Sequence, residues 1–127
     1  MTKEKSILKS PWFYVSLFVL LILFYLVIPR PPTSPGIYDD FAKCLTKAGA
    51  IMHGTDWCPH CKNQKAMFGS SFRFVNYVNC DKEKETCLRA GVDGYPTWTI
   101  RGKNYAGVQA LEKLSALTNC SLKPVKK

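Results

Sequence analysis

From Ser10 to Pro29 the chain reads SPWFYVSLFVLLILFYLVIP, an uncharged and mostly apolar run bracketed by Lys9 and Arg30. It shows no alternation and no polar face. About 20 such residues in a helix match the hydrocarbon thickness of a bilayer, so the pattern predicts a transmembrane anchor over residues 10–29. Trp12, Tyr14 and Tyr25 lie toward its two ends, where amphipathic rings suit the membrane interface. A cleaved signal peptide fits less well. Its apolar region is about 7–15 residues long and ends in small residues, whereas this run continues into VIPRPP.

The pattern changes abruptly after the span. Residues 30–36 form a proline-rich linker, because prolines stop a helix and favour an extended chain. Beyond it, short amphipathic and alternating segments follow one another. YDDFAKCLTKAG predicts a helix capped by Asp39 or Asp40, with Phe41, Cys44, Leu45 and Ala48 on one face and Gly49 as its stop. AIMHG is a short apolar run suited to a buried strand. A helix then starts at Cys58-Pro59, with proline well placed in a first turn, and runs to Gly69. RFVNYVNC alternates as a strand does. DKEKETCLRAG is a short polar helix ended by Gly91. YPTWTIRGKNYAG supplies two strands around a turn at Gly102-Lys103. VQALEKLSALTNC closes with a helix whose Leu111, Leu114 and Leu117 face inward.

A helix between two strands implies a parallel crossover pair, and the last hairpin is antiparallel. The expected architecture is α/β, a mixed four-stranded sheet flanked by helices. This is a trimmed thioredoxin-like arrangement over residues 37–127, preceded by a transmembrane helix.

With 127 residues there is room for one small domain. Lys3, Lys5 and Lys9 precede the span against Glu4 alone. The basic side stays in the cytoplasm, so residues 1–9 are expected as a cytoplasmic flank. The domain is then extracytoplasmic, in a periplasm, cell exterior or equivalent lumen. The formal net charge is +9. No stripe of basic and aromatic residues appears in the domain, so the charge implies attraction to anionic lipid rather than nucleic-acid binding. Six cysteines in so small a domain fit an oxidising setting and pairing.

The candidate chemistry lies in WCPHC, Trp57 to Cys61. Two cysteines at i and i+3 in a first helical turn stand within the Cα separation a disulfide needs, so the bond can open and close with little backbone movement. Cys58 sits where free N–H groups and the helix dipole favour a thiolate, below the free value of about 8.5. Cys61, one turn inside, is the sheltered resolving thiol. Pro59 and His60 set the redox poise. A donor or positive charge at His60 stabilises the Cys58 thiolate, hence the reduced form, which makes the disulfide an oxidant. Zinc would require four ligands, and the other cysteines form no second C-x-x-C. Haem attachment would require histidine after Cys61, where Lys62 stands. A permanent staple would close too short a loop to remove much entropy. The expectation is a redox pair with no metal and no cofactor.

Pro96, in GYPTW, precedes the hairpin where a thioredoxin-like fold holds a cis-proline opposite the C-x-x-C. Tyr95 would then offer its backbone to a substrate strand, with Trp57 flanking the same site. The remaining cysteines allow three pairings. Cys80 with Cys87 and Cys44 with Cys120 join neighbours in the inferred topology. Cys80 and Cys87 as a second exchanging pair is the alternative.

FAKCLTKAGAIMHGTDWCPHCKNQKAMFG, YVNC, GYPTW and GVQALEKL together resemble the thioredoxin-like domain fused to, or encoded beside, vitamin K epoxide reductase homologues. The resemblance implies that Cys58 and Cys61 exchange electrons and that Cys44 and Cys120 are structural. It implies thiol-containing secreted proteins as substrates and a quinone-reducing membrane enzyme as electron acceptor. This chain has one span in place of a catalytic membrane domain, so the acceptor would be a separate vitamin K epoxide reductase-like partner. Two readings compete with a membrane-tethered disulfide-introducing oxidoreductase. One is a reductase or isomerase, as in cytochrome maturation. The other is a non-catalytic, disulfide-stapled binding module.

Overall fold

The computed structural model describes residues 11–28 and 36–124. The basic flank, most of the linker and the last three residues lie outside the described residues. The chain divides into two compact units, residues 1–33 and residues 34–127.

In the first unit, α1 (Pro11–Val27) is a 17-residue helix without a buried residue. It occupies most of the uncharged run. Among the described residues no helix is long and apolar enough to cross a membrane. Ser10 and Pro29, the ends of the expected span, are not among them.

The second unit contains α2 (Asp39–Lys47), β1 (Ile51–Gly54), α3 (Pro59–Phe68), a 3-10 helix (Gly69–Phe74), β2 (Asn76–Asn79), α4 (Lys84–Arg89), β3 (Thr97–Ile100), β4 (Lys103–Ala106) and α5 (Leu111–Thr118). Sheet order is β2-β1-β3-β4. β1 runs parallel to β2, as a helical crossover requires, and antiparallel to β3, which pairs antiparallel with β4. The expected mixed sheet is therefore present, and its layout is that of a thioredoxin-like α/β domain.

Strand alternation divides the chemistry between two faces. Met52 is opposite Trp98, and both are fully buried in one core with Phe41, Leu45, Phe68 and Leu114. Phe68 lies 6.0 Å from the rings of both Phe41 and Trp98. Burying each such side chain stabilises the fold by about 1.5–3 kcal/mol. His53, one residue on from Met52, is opposite Thr97 on the other face, where Cys87 of α4 reaches it.

Two disulfides pin the helices. Cys44 of α2 bonds Cys120, just past α5, across 76 residues, and Cys80 bonds Cys87 across 7. Cys58 and Cys61 are free thiols.

Three local expectations change. RFVNYVNC is a strand only from Asn76, because the chain from Gly69 to Phe74 coils as a 3-10 helix. Ser71 accepts a hydrogen bond from the Tyr38 N–H at 3.0 Å, and Arg73 pairs with Asp39 at 2.8 Å. These contacts hold the coil against α2. Asp39 is thereby drawn away from capping: the N-cap position is Tyr38, with no side-chain cap bond. The hairpin turns at Arg101-Gly102, both with positive φ (51° and 76°), the pair of left-handed residues that a tight two-residue hairpin needs. Lys103 already belongs to β4.

Candidate functional site

α3 starts by using a thiol as its cap. Cys58 is extended (φ −72°, ψ 119°), Pro59 occupies the first turn, and the Cys58 Sγ accepts the Cys61 N–H at 3.4 Å. Proline suits that turn because its missing N–H would have been unpaired there. The sulfur thus takes the place of the usual capping oxygen. It faces the free N–H groups and positive end of a ten-residue helix.

The two thiols are placed unequally. Cys58 is 5% exposed and Cys61 fully buried. Burial opposes ionisation of Cys58, but hydrogen bonds from the Cys61 thiol and from the Cys61 and His60 N–H groups outweigh it, so its pKa is lowered. His60 thus contributes through its backbone, while its ring is exposed. Cys61 is pushed up to about 11, chiefly by burial, with its bond to Cys58 adding to the rise and the Thr55 backbone and Lys65 opposing it. One sulfur is prepared to be an anion and the other to remain a thiol.

Gly54, at the end of β1, makes room for this pair. A Cβ there would lie 2.8 Å from the Cys61 Sγ and 3.3 Å from the Tyr77 ring. The loop from Gly54 to Cys58 is held by Asp56. Its carboxylate accepts from Asn79 at 2.7 Å and pairs with Lys65 at 3.3 Å, while the Lys65 ammonium lies 3.8 Å from the Tyr77 ring centroid.

The expected substrate-side residues converge on Cys58. The Tyr95–Pro96 peptide is cis. The Cys58 thiol points at the Tyr95 carbonyl, 3.7 Å away. Trp57, 65% exposed, meets the Tyr95 ring edge-on at 6.4 Å, and its indole N–H donates to Asp81 at 3.2 Å. Trp57 and Cys58 are thus brought beside Tyr95 and its cis bond to the buried Pro96, although Cys58 and Tyr95 stand 37 residues apart along the chain. Cys44, Cys80, Cys87 and Cys120 lie outside this group, in the two disulfides.

Several supporting residues gave little sign of themselves in the sequence. Gln64 is fully buried. It accepts from the Trp98 indole and the Gln109 N–H and donates to the Gln109 carbonyl, joining α3 to β3 and to the segment before α5. Lys65, Asp56 and Gly54 read as ordinary helix-surface, loop and strand residues. A polar residue on the helix stripe that carries Cys61 and Phe68 was the one available signal for Gln64. Among the described residues, the one group of potential metal ligands is His53, Cys80 and Cys87, which includes neither thiol of the C-x-x-C.

No family model matches the chain. It is 39% identical over 90 residues to thiol-disulfide oxidoreductase LTO1 of Arabidopsis thaliana, covering 64% of this chain and 24% of that protein. It is 36% identical over 77 residues to protein disulfide isomerase-like 2-2 of Oryza sativa subsp. japonica, covering 50% of this chain and 21% of the relative. A probable protein disulfide-isomerase A6 of Medicago sativa is 32% identical over 87 residues, 58% of this chain and 24% of that protein. The chain thus spans about a quarter of the length of these relatives. Together with the sheet order, these likenesses support a thioredoxin-like domain.

Proposed function

We propose that the chain is a thiol–disulfide oxidoreductase that introduces disulfides into extracytoplasmic proteins. The observation that carries this is the inequality of the two thiols at the start of α3. Cys58 is lowered by N–H and S–H donors, and Cys61 is raised to about 11 by burial. A substrate thiolate attacks the Cys58 sulfur of the Cys58–Cys61 disulfide, and Cys61 leaves as a thiol after taking a proton. A second substrate thiolate then attacks the substrate sulfur of the mixed disulfide, releasing Cys58 as a stabilised thiolate. The substrate loses two electrons, and the chain holds them as its dithiol. Stabilising that thiolate favours the reduced chain and makes its disulfide the stronger oxidant.

In this reading the uncharged run at residues 10–29 anchors the domain to a membrane. The 17 residues of α1 would rise about 26 Å at about 1.5 Å each, short of a bilayer core of about 30 Å, so the anchor reading rests on the uncharged sequence of residues 10–29 rather than on α1 alone. A separate quinone-reducing membrane protein, related to vitamin K epoxide reductase, would take the electrons back. The protein disulfide isomerase relatives favour a second reading, in which the same pair reshuffles disulfides.

Trapping tests the reading. In a Cys61→Ala chain the mixed disulfide at Cys58 cannot be resolved from within, so substrate proteins stay attached through Cys58 and are released by reductant. A Cys58→Ala chain traps nothing. Absence of trapped species in both would leave the non-catalytic binding module. A reduction potential above thioredoxin's value of about −270 mV supports oxidation, and one at or below it supports reduction.

A further inference from the structure

The second face of the sheet carries a cluster that the thiol chemistry of Cys58 and Cys61 does not use. His53, Cys80 and Cys87 are 2%, 4% and 3% exposed. One ligand atom from each lies within 4.8 Å of the other two. The His53 Nδ1 is 3.7 Å from the Cys87 Sγ. Its other ring nitrogen, Nε2, is buried without a hydrogen-bond partner.

We propose that this cluster is a redox-gated metal site. When a dithiol reduces the Cys80–Cys87 disulfide, His53, Cys80 and Cys87 bind a thiophilic divalent cation of the zinc type.

The geometry is close to what such a site needs. Zinc binds cysteine sulfur at about 2.3 Å and imidazole nitrogen at about 2.0–2.1 Å with tetrahedral angles, so sulfur and nitrogen edges of the site are about 3.6 Å. The Nδ1–Sγ separation is already 3.7 Å. Two zinc-bound sulfurs sit about 3.8 Å apart by the same construction. From the ordinary disulfide length of about 2.05 Å, opening the bond to that spacing moves each sulfur by about 1 Å, within reach of side-chain rotation. The three ligands come from the end of β1, the residue after β2, and α4. β1 and β2 are adjacent strands, and the Cys80 N–H bonds to the Gly54 carbonyl at 2.8 Å, so two of the three positions are rigid. The third rides on a six-residue helix behind an exposed segment, residues 81–85, which supplies a route in.

The chemistry balances. The dithiol gives two electrons and two protons to the Cys80–Cys87 bond and becomes a disulfide. Zinc then displaces the two thiol protons to solvent and takes a lone pair from Nδ1. Two thiolates neutralise the dication, so the buried complex carries no net charge. Three protein ligands leave one position for water or an incoming group.

The test uses the full chain carrying Cys58→Ser and Cys61→Ser, so that the first thiol pair cannot bind metal. A non-chelating phosphine, which ends as its oxide, replaces the dithiol, and alkylation with mass spectrometry reports which disulfide has opened. Cobalt(II) is titrated as the spectroscopic probe. The expected result is thiolate-to-cobalt charge-transfer absorption saturating at one equivalent, present only after Cys80 and Cys87 are freed. His53→Phe and His53→Gln each weaken it at least 10-fold, and zinc raises the melting temperature of the reduced chain. The proposal is overturned if freed Cys80 and Cys87 give no absorption. It is equally overturned if both His53 variants bind with the same affinity, or if binding leaves the melting temperature unchanged, since that metal would be held by unfolded chain.

Discussion

The backbone N–H of Cys61 donates to the sulfur of Cys58 at 3.4 Å. The buried thiol therefore serves its neighbour twice, as a peptide donor and through its own S–H. The first consequence is a difference in reactivity with pH. A thiol held below its free value is ionised at lower pH, so alkylation of the reduced chain at Cys58 should rise and level off at lower pH than that of a free cysteine. Cys61 should resist until the pH nears 11. Removing the S–H donor with Cys61→Ala should move the Cys58 profile to higher pH while leaving it reactive. Iodoacetamide rates read by mass spectrometry at each residue check this, and equal profiles for the two thiols would contradict it.

Gly54 is required by close approach. An added methyl would stand 2.8 Å from the Cys61 sulfur and 3.3 Å from the Tyr77 ring, below ordinary contact distance, and β1 is an interior strand that cannot shift freely. Overpacking of this kind costs about 1–3 kcal/mol. Gly54→Ala should lower the unfolding free energy read from urea curves by that amount and slow disulfide exchange at Cys58. A variant with wild-type stability and exchange rate would show that Cys61 has space to retreat.

Much of this arrangement can be read from the residues alone, because it depends on spacing. The C-x-x-C at a proline-started helix, the parallel pair and antiparallel hairpin of a mixed four-stranded sheet, and a preference among three pairings for disulfides between neighbouring elements are local or topological inferences; the place of β1 beside β3 is not among them. What stays hidden depends on tertiary partners. RFVNYVNC alternates well enough for a strand, yet Ser71 and Arg73 are drawn to Tyr38 and Asp39, 33 and 34 residues away, and the first part coils. Asp39 is a good capping residue by type, but an arginine competes for it successfully. Gln64 shows only as a polar residue on an apolar stripe, and its role stays hidden for the same reason: its partners, Trp98 and Gln109, are 34 and 45 residues distant.

That buried glutamine yields the third prediction. Gln64→Leu fills a similar volume but leaves the Trp98 indole N–H and the Gln109 N–H without acceptors. Each orphaned buried donor costs about 1–3 kcal/mol, so the variant should lose about 3 kcal/mol by denaturant titration. Gln64→Glu keeps both acceptor contacts while placing a carboxylate against the Gln109 carbonyl, and should also be destabilised, more so at high pH. Loss in the leucine variant of well under 1 kcal/mol would mean that water reaches these groups.

The two disulfides should differ in worth. A loop of 76 residues and one of 7 give about 4.5 and about 2.5 kcal/mol in the chain-entropy account. Replacing Cys44 and Cys120 by serine should therefore lower stability more than replacing Cys80 and Cys87, by about 2 kcal/mol. Matched urea curves on the two double variants decide it. The reverse order would mean that contacts around His53 rely on the shorter bridge beyond its effect on the unfolded chain.

His53 also makes stability depend on pH, with a definite sign. Burial lowers its pKa from 6.5, and Glu83 only partly offsets this. Below pH 6.5 the unfolded chain binds a proton that the folded chain refuses, so the unfolded state gains and stability falls as pH drops. The loss begins as pH passes down through 6.5 and stops growing once the folded-state value is passed. Replacing the imidazole by an apolar ring removes the titrating group, so the urea midpoint of His53→Phe should be flatter than wild type between pH 7.5 and 4.5. Carboxylates that do not act on His53 contribute equally to both chains and cancel in the difference, which leaves Glu83 as the one whose own titration changes with the substitution. A difference that stays constant across this range would mean that the imidazole is protonated as readily in the folded chain as in the unfolded one, and that water reaches the space beside the Cys80–Cys87 bridge.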